Sequence, residues 1–383
     1  MKRSRTLISL EVRATLLPAA KQARGKGKTE EDKMLAADAF AAALEAVPAE
    51  DWCRTWAAGR TIMLRCTSKK VQEVVDKMRL PAVVRLSRSF WDDARNGTSA
   101  EKLQFVMTQL VVFTARCRIT TLALPECEMN AQDAERLAGV LEQCPALARL
   151  DLRGDSHPND TFPSCLGAEG AQSLGRVLRL CPALTYLNLS YNYFGYRGVE
   201  VLAGVLARCT ALAHLELSHN AIGTAGAESF AGVLAQCQAL THLNLRYNYI
   251  GPGGVDSLAK VLGQCASLAH LDLGHNAIGT AGAESFAGVL AQCQALTHLN
   301  LMHNQIGPVG VASFAGVLPQ CTALPHLDLN NNDIGEVGAE SLAGVLGQCT
   351  ALSHLNLGYN RIGTVGRERL RSSWCGPGSG LFL

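Results

Sequence analysis

From Leu184 onward the chain follows a two-part hydrophobic rhythm that restarts every 28 residues. Each unit opens with LxxLxLxxNxI, in which apolar and polar positions alternate with a period of two. That spacing predicts a short strand with its leucines turned inward, as Leu240, Leu243 and Leu245 illustrate. The second half, GxxGxExLAGVLxQC, switches to helical spacing. Leu342, Val345 and Leu346 fall at i, i+3 and i+4, on one face of a helix. Units begin at Leu184, Leu212, Leu240, Leu268, Leu296, Leu324 and Leu352, and degenerate ones at Ile119 and Leu147 make nine. Residues 219–245 and 275–301 are identical over 27 positions, two units apart. Stacked strand–turn–helix units predict an α/β solenoid: a curved horseshoe with parallel strands on the concave face and helices on the convex face.

These motifs closely resemble the ribonuclease-inhibitor-like class of leucine-rich repeats, which also occurs in NOD-like receptors and Ran GTPase-activating protein. The resemblance covers residues 119–374 and implies a leucine-rich-repeat solenoid that binds a protein partner. The ninth-place Asn (Asn192, Asn220, Asn248, Asn276, Asn304, Asn332, Asn360) can bond to the backbone of neighbouring turns and form an internal ladder. Cys127 and Asp155 replace it in the first two units, and the second unit carries an insertion within SHPNDTFPSC that should loop out. The last helix, GRERLRSSW, presents arginines and a Trp374 in a leucine slot, as a terminal cap requires. The tail, residues 375–383, reads as disordered.

The front third divides differently. Residues 1–33 form a basic arm whose composition predicts disorder, and whose scarcity of acids also fits a transit peptide. Residues 34–96 read as a helical region, with MLAADAFAAALEAV the clearest stretch. Within it, Phe40 to Met78, and IMLRCTSKKVQEVVDKM above all, is weakly similar to the second half of an F-box, although the family's opening Leu-Pro pair is missing. That similarity implies a ubiquitin-ligase adaptor as a partner; a plain helical cap and an unclassified domain are the competing readings. Residues 97–118 hold a capping box at Thr98 and Glu101, then Leu103, Val106 and Leu110 on one face, so they predict a helix capping the solenoid.

Composition narrows the function. Aromatics are 5% against 48% apolar residues, so the core must be aliphatic. Residues 1–118 carry 22 Lys/Arg against 13 Asp/Glu, and the remainder 13 against 20, giving a basic front and an acidic back. No apolar run reaches 18 residues, so no membrane span is predicted. Of fourteen cysteines, seven recur at a period of 28; one per unit reads as a small buried hydrophobe, not a disulfide framework. A reducing, cytoplasmic location follows. ARGKGKT is the nearest text to a phosphate-binding loop, but Gln22 stands where its first glycine belongs. No nucleophile elbow, zinc motif or CxxC pair is present, so no enzyme, catalytic residue, cofactor or resident metal is expected.

The candidate site is a strip of outward strand positions. Its third-place residues are Tyr186, His214, His242, His270, His298, His326 and His354. Its fifth-place residues are Asn188, Glu216, Asn244, Asp272, Asn300, Asp328 and Asn356, and beyond them stand Tyr191, Arg246, Tyr247 and Tyr359. Aromatic anchors among hydrogen-bonding neighbours suit a protein partner. One arginine and no lysine disfavour nucleic acid. The six imidazoles, in a row roughly 4.8 Å apart, are expected to charge together on mild acidification; no fixed carboxylate or cysteine completes a closed metal site among them. A protein-binding module is therefore the leading reading, and an F-box substrate receptor the alternative. GTPase activation is not readable from the repeat motif. Ribonuclease inhibition is disfavoured by uniform 28-residue units and a strip without tryptophan.

Overall fold

The computed structural model describes residues 81–85, 99–116, 118–155 and 165–383. Over these residues one parallel sheet of eleven strands runs in strict chain order, β1 to β11. The strands facing the groove are three residues long: β4 Tyr186–Asn188, β5 His214–Glu216, β6 His242–Asn244, β7 His270–Asp272, β8 His298–Asn300, β9 His326–Asp328 and β10 His354–Asn356. Each is followed by one helix, such as Gly223–Leu234 after β5 and Gly279–Leu290 after β7. The register pairs like with like: His214 with His242, His242 with His270, His270 with His298. Every place in the unit thus becomes a row across the sheet.

Alternation explains which rows are dry. Leu215, Leu243, Leu271 and Leu299 point inward and are buried with the helical leucines in one continuous core. The chain then turns outward through two residues of positive φ on either side of the ladder Asn, such as His275 (57°) and Ala277 (52°). Left-handed backbone at non-glycine residues persists only where the surroundings fix it, and here the Asn ladder fixes it. Gly279 opens the following helix at φ +64°, the one place in the turn that glycine relieves of strain.

The ladder itself is continuous. Asn276, fully buried, donates through Nδ2 to the carbonyls of Leu245 (2.9 Å), Leu273 (2.9 Å) and Gly274 (3.2 Å). Its Oδ1 accepts from the backbone N–H of Asn248 at 2.9 Å and of Ile250 at 3.3 Å. Asn192 begins the ladder and Asn360 ends it. The cysteine row lies beneath the helices: Cys209 and Cys237 are buried, and their thiols point at the carbonyls of Val205 and Val233. Burial pushes the Cys209 thiol up to about 11, which leaves it protonated and inert.

Both ends of the solenoid depart from expectation. Pro81–Arg85 (β1) is a strand, paired parallel with β2 Arg118–Ala123, inside the 34–96 region expected to be helical. Its PAVVR text favours this: two adjacent β-branched residues suit a pleated edge, and proline is tolerated at a strand's first position. The remaining expectations for residues 1–80, the weakly F-box-like stretch included, lie outside the described residues, as does the insertion at 156–164. Helix Ser99–Arg116 buries Leu103, Val106 and Leu110 in the common core.

The tail is not disordered. Leu381–Phe382 (β11) pairs with Leu355 and Asn356 of β10, and the Leu357 N–H donates to the Phe382 carbonyl at 2.7 Å. Glycine-rich composition suggested a loose end, but glycine is what lets the chain come this close. A Cβ on Gly380 would sit 1.9 Å from the Ser353 carbonyl oxygen. The otherwise open edge of β10 supplies the hydrogen bonds that order it.

Candidate functional site

The concave rows form two ring ladders with an acid–amide row between them. In the first ladder Tyr186 stacks on His214 (4.7 Å between centroids), followed by His242 (4.8 Å), His270 (4.0 Å), His298 (4.0 Å) and His326 (4.2 Å). His354 follows at 5.4 Å, tilted. The ends are closed by residues not evident from the repeat text: the Arg149 guanidinium lies 3.3 Å over Tyr186, and Phe382 lies 4.8 Å from His354.

Two hydroxyls set the tautomers. Thr241 Oγ1 donates its single proton to the Ala213 carbonyl at 2.9 Å, so at 2.8 Å it accepts from His242 Nδ1. Thr297 does the same for His298, at 3.0 and 2.9 Å. Both rings therefore carry the proton on Nδ1 and keep Nε2 as an acceptor. His214 differs, with Nε2 2.7 Å from Glu216 Oε1.

The fifth-place row is a strict alternation of acid and amide: Asp151, Asn188, Glu216, Asn244, Asp272, Asn300, Asp328, Asn356. Each groove acid takes the next amide. Asn244 Nδ2 donates to Glu216 (2.7 Å), Asn300 to Asp272 (3.0 Å) and Asn356 to Asp328 (3.1 Å). The amide oxygens are engaged as well, accepting the backbone N–H of Arg246, Met302 and Gly358. Burial pushes the Asp272 carboxyl up, against the pull of Gly274 N–H, Arg246 and Asn300.

A second ladder runs along the eighth place: Tyr191, His219, Tyr247, His275 and His303, with centroids 3.9–4.2 Å apart. Tyr191 and Tyr247 were expected in the strip; His219, His275 and His303 were not singled out. The signal was available, since each precedes a ladder Asn, and His219 and His275 alternate with Tyr191 and Tyr247. Arg246 lies 5.0 Å over Tyr247. Tyr359 stands apart, 84% exposed beyond the last histidine of this ladder.

Along the first ladder and the acid–amide row lies a groove of about 360 Å³. It is lined by the six third-place histidines and by Glu216, Asn244, Asp272, Asn300 and Asp328. Tyr186 and Asn188 extend it toward the front, and Asn356 closes the row at the other end.

One expectation changes with this geometry: three of the six third-place imidazoles depart from the value that charging together supposed. Burial, and then neighbouring rings, lower His242, His270 and His298. Burial with Arg246 holds His219 down at about 4, and burial with His303 holds His275 there too. Stacked rings cannot share an ion. Their nitrogen lone pairs lie in parallel planes and do not converge as a tetrahedral metal requires; among the described residues no group of three ligands is placed to hold one.

The lowered values have a sign that can be measured. Unfolded imidazoles titrate near pH 6.5, so between about 6.5 and about 4 the unfolded chain binds more protons than the folded one. Stability is therefore complete above pH 6.5 and lost as pH falls toward 4. The raised Asp151 and Asp272 act in the opposite sense. Melting by circular dichroism should show Tm several degrees lower at pH 5.5 than at pH 7.5. A Tm unchanged or higher at pH 5.5 would contradict the buried, neutral stack.

The family profile described as leucine-rich repeat matches seven consecutive segments: residues 180–203, 208–231, 236–259, 264–287, 292–315, 320–343 and 348–370. Residues 180–370 are leucine-rich repeats. Solved leucine-rich-repeat structures resemble it at low identity. The leucine-rich-repeat-containing protein LegL7 from Legionella pneumophila is 21% identical, with 67% of this chain and 80% of that one covered at a TM-score of 0.45. The actin-binding site 2 of leiomodin-1 is 19% identical over 36% of this chain and 79% of that one, at 0.33. The Caenorhabditis elegans tropomodulin C-terminal domain is 15% identical over 38% and 90%, at 0.33. None of the curated proteins matches. Leucine-rich repeats serve generally as protein-interaction modules, and no helix among the described residues is long and apolar enough to cross a membrane.

Proposed function

We propose that this leucine-rich-repeat chain, of the ribonuclease-inhibitor-like class, is a protein-binding module whose working surface is the concave strip. The observation that carries this reading is a groove lined by one ring ladder, with a second ring ladder further along the same units. Pre-stacked rings have little rotamer freedom left to lose on binding, which lowers the entropic cost of association, and aromatic residues with arginine are the usual anchors of protein interfaces. The helical face is built of copied positions, whereas residues such as Ser218, Arg246, Met302 and Asn330 vary from unit to unit beside the groove. The ubiquitin-ligase alternative rests on residues 40–78, which the described structure does not include, and no feature of the strip favours it.

The test is capture of partners on wild-type chain beside a variant with Asn244, Arg246 and Tyr247 changed to alanine. The variant should keep its circular dichroism spectrum and lose at least tenfold of the captured partner. Full retention of the partner by a folded variant would move the working surface off the strip.

A further inference from the structure

The groove's charge is one-sided. One N–H of each of Asn244, Asn300 and Asn356 is taken by Glu216, Asp272 and Asp328, and their oxygens by backbone N–H groups. The charged groups on its strands are carboxylates, on β5, β7 and β9, with the Nε2 acceptors of His242 and His298 on the strands between. No lysine or arginine lines it. An occupant must bring donors and positive charge.

Spacing says how those charges are arranged. The acids recur every second strand, and strands lie about 4.8 Å apart, so the carboxylates repeat at roughly 9.6 Å across the sheet. A polyproline-II chain rises about 3.1 Å per residue with three residues per turn, so one of its faces repeats at about 9.3 Å. An extended strand repeats a face at about 6.8 Å. An α-helix rises about 5.4 Å per turn, so one of its faces repeats at about 5.4 or 10.8 Å, further from the carboxylate spacing.

We propose that the groove takes a polyproline-II-like segment of a partner protein carrying arginine at every third residue, with the guanidinium groups seated on Glu216, Asp272 and Asp328. Arginine fits better than lysine because its planar fork can give one N–H to a carboxylate and another to the imidazole nitrogen on the adjacent strand. Half-buried carboxylates are screened less by solvent than exposed ones and gain more from such a cation. The proposal rests on the concave-face reading above.

The probe is a fluorescein-labelled (Arg-Pro-Pro)₄ peptide, titrated with the full chain and read by anisotropy. A peptide of the same composition with its four arginines in one block should bind at least tenfold more weakly, and the glutamate version should not bind. The E216Q/D272N/D328N variant should lose at least tenfold in affinity. E200Q/E228Q/E284Q, which removes equal charge from exposed helical positions, should stay within twofold of wild type. If the groove triple fails to fold, D272N alone should still lose at least threefold.

Equal binding of the spaced and blocked peptides would overturn the proposal, as would an unchanged groove variant. A peptide of residues 1–33 that bound more tightly than the spaced probe would assign the groove to the chain's own basic arm and overturn the partner assignment. A captured protein that depends on Asn244, Arg246 and Tyr247 while the arginine peptides fail would overturn this chemistry and leave the concave-face reading standing.

Discussion

Replacing Asn276 by alanine should destabilise the solenoid by about 3–5 kcal/mol, because it removes both ends of a buried exchange at once. The carbonyls of Leu245, Leu273 and Gly274 lose their Nδ2 donor, and the N–H groups of Asn248 and Ile250 lose their Oδ1 acceptor. All lie where water does not reach, since Asn276 is 0% exposed. Orphaned backbone groups, more than the lost bonds themselves, set the cost. The ladder also supplies its own comparison. Asn192 makes the same three donations, to Leu152, Leu189 and Ser190, but the preceding unit has Asp155 in the ladder slot. Asn192→Ala should therefore cost measurably less than Asn276→Ala. Urea unfolding of the two variants decides it; equal midpoints would mean that the ladder is not the cooperative element described.

The same comparison shows what the sequence can and cannot disclose. The row of asparagines is legible because the fold demands it once per 28 residues, and any demand imposed at fixed spacing appears as text. The outward rows are equally legible as positions: a period of two puts His242 and Asn244 on one side of the sheet and Leu243 on the other, so the strip residues meet as expected. Their states are less so. The row position of a histidine says nothing of the Thr241 hydroxyl that fixes its tautomer, or of the neighbours that bury its ring. His242, His270 and His298 therefore depart from the joint titration that an isolated imidazole value implies.

The ends are least legible, for the opposite reason. Once periodicity stops, composition is the only guide. Composition reads CGPGSGLFL as loose chain, although an unpaired strand edge is waiting to receive it. Likewise PAVVR is too short to declare itself before the sheet it joins is known. In the groove, the alternation of acid and amide was in the text all along. It repeats over two units, so reading the chain one unit at a time averages it away.

Over three units a two-unit period reaches the core as well, where it sets up the second large effect. Phe286→Ala should cost about 3–5 kcal/mol, as expected for emptying a fully buried aromatic site. Phe286 is 0% exposed and lies 6.2 Å from Phe314. Its neighbour one turn earlier on the same face is Ala283, also buried. The flanking unit makes the opposite choice, with Val255 before Leu258, and the pair Ala227–Phe230 repeats the first pattern. In these three units large follows small and medium follows medium, which keeps the volume of each slice nearly constant; Val311 before Phe314 and Ala339 before Leu342 in the next two units do not continue the pattern. Phe286→Leu alone should thus leave a void costing about 1 kcal/mol. Adding Ala283→Val should recover most of it, because the double variant copies the core of the preceding unit. The two substitutions should therefore be non-additive: Ala283→Val should destabilise the wild type by overpacking, yet stabilise a chain that already carries Phe286→Leu. Strict additivity in a double-mutant cycle would mean that these slices do not conserve volume, and that the exchange of Ala227–Phe230 and Ala283–Phe286 for Val255–Leu258 between them has no packing basis.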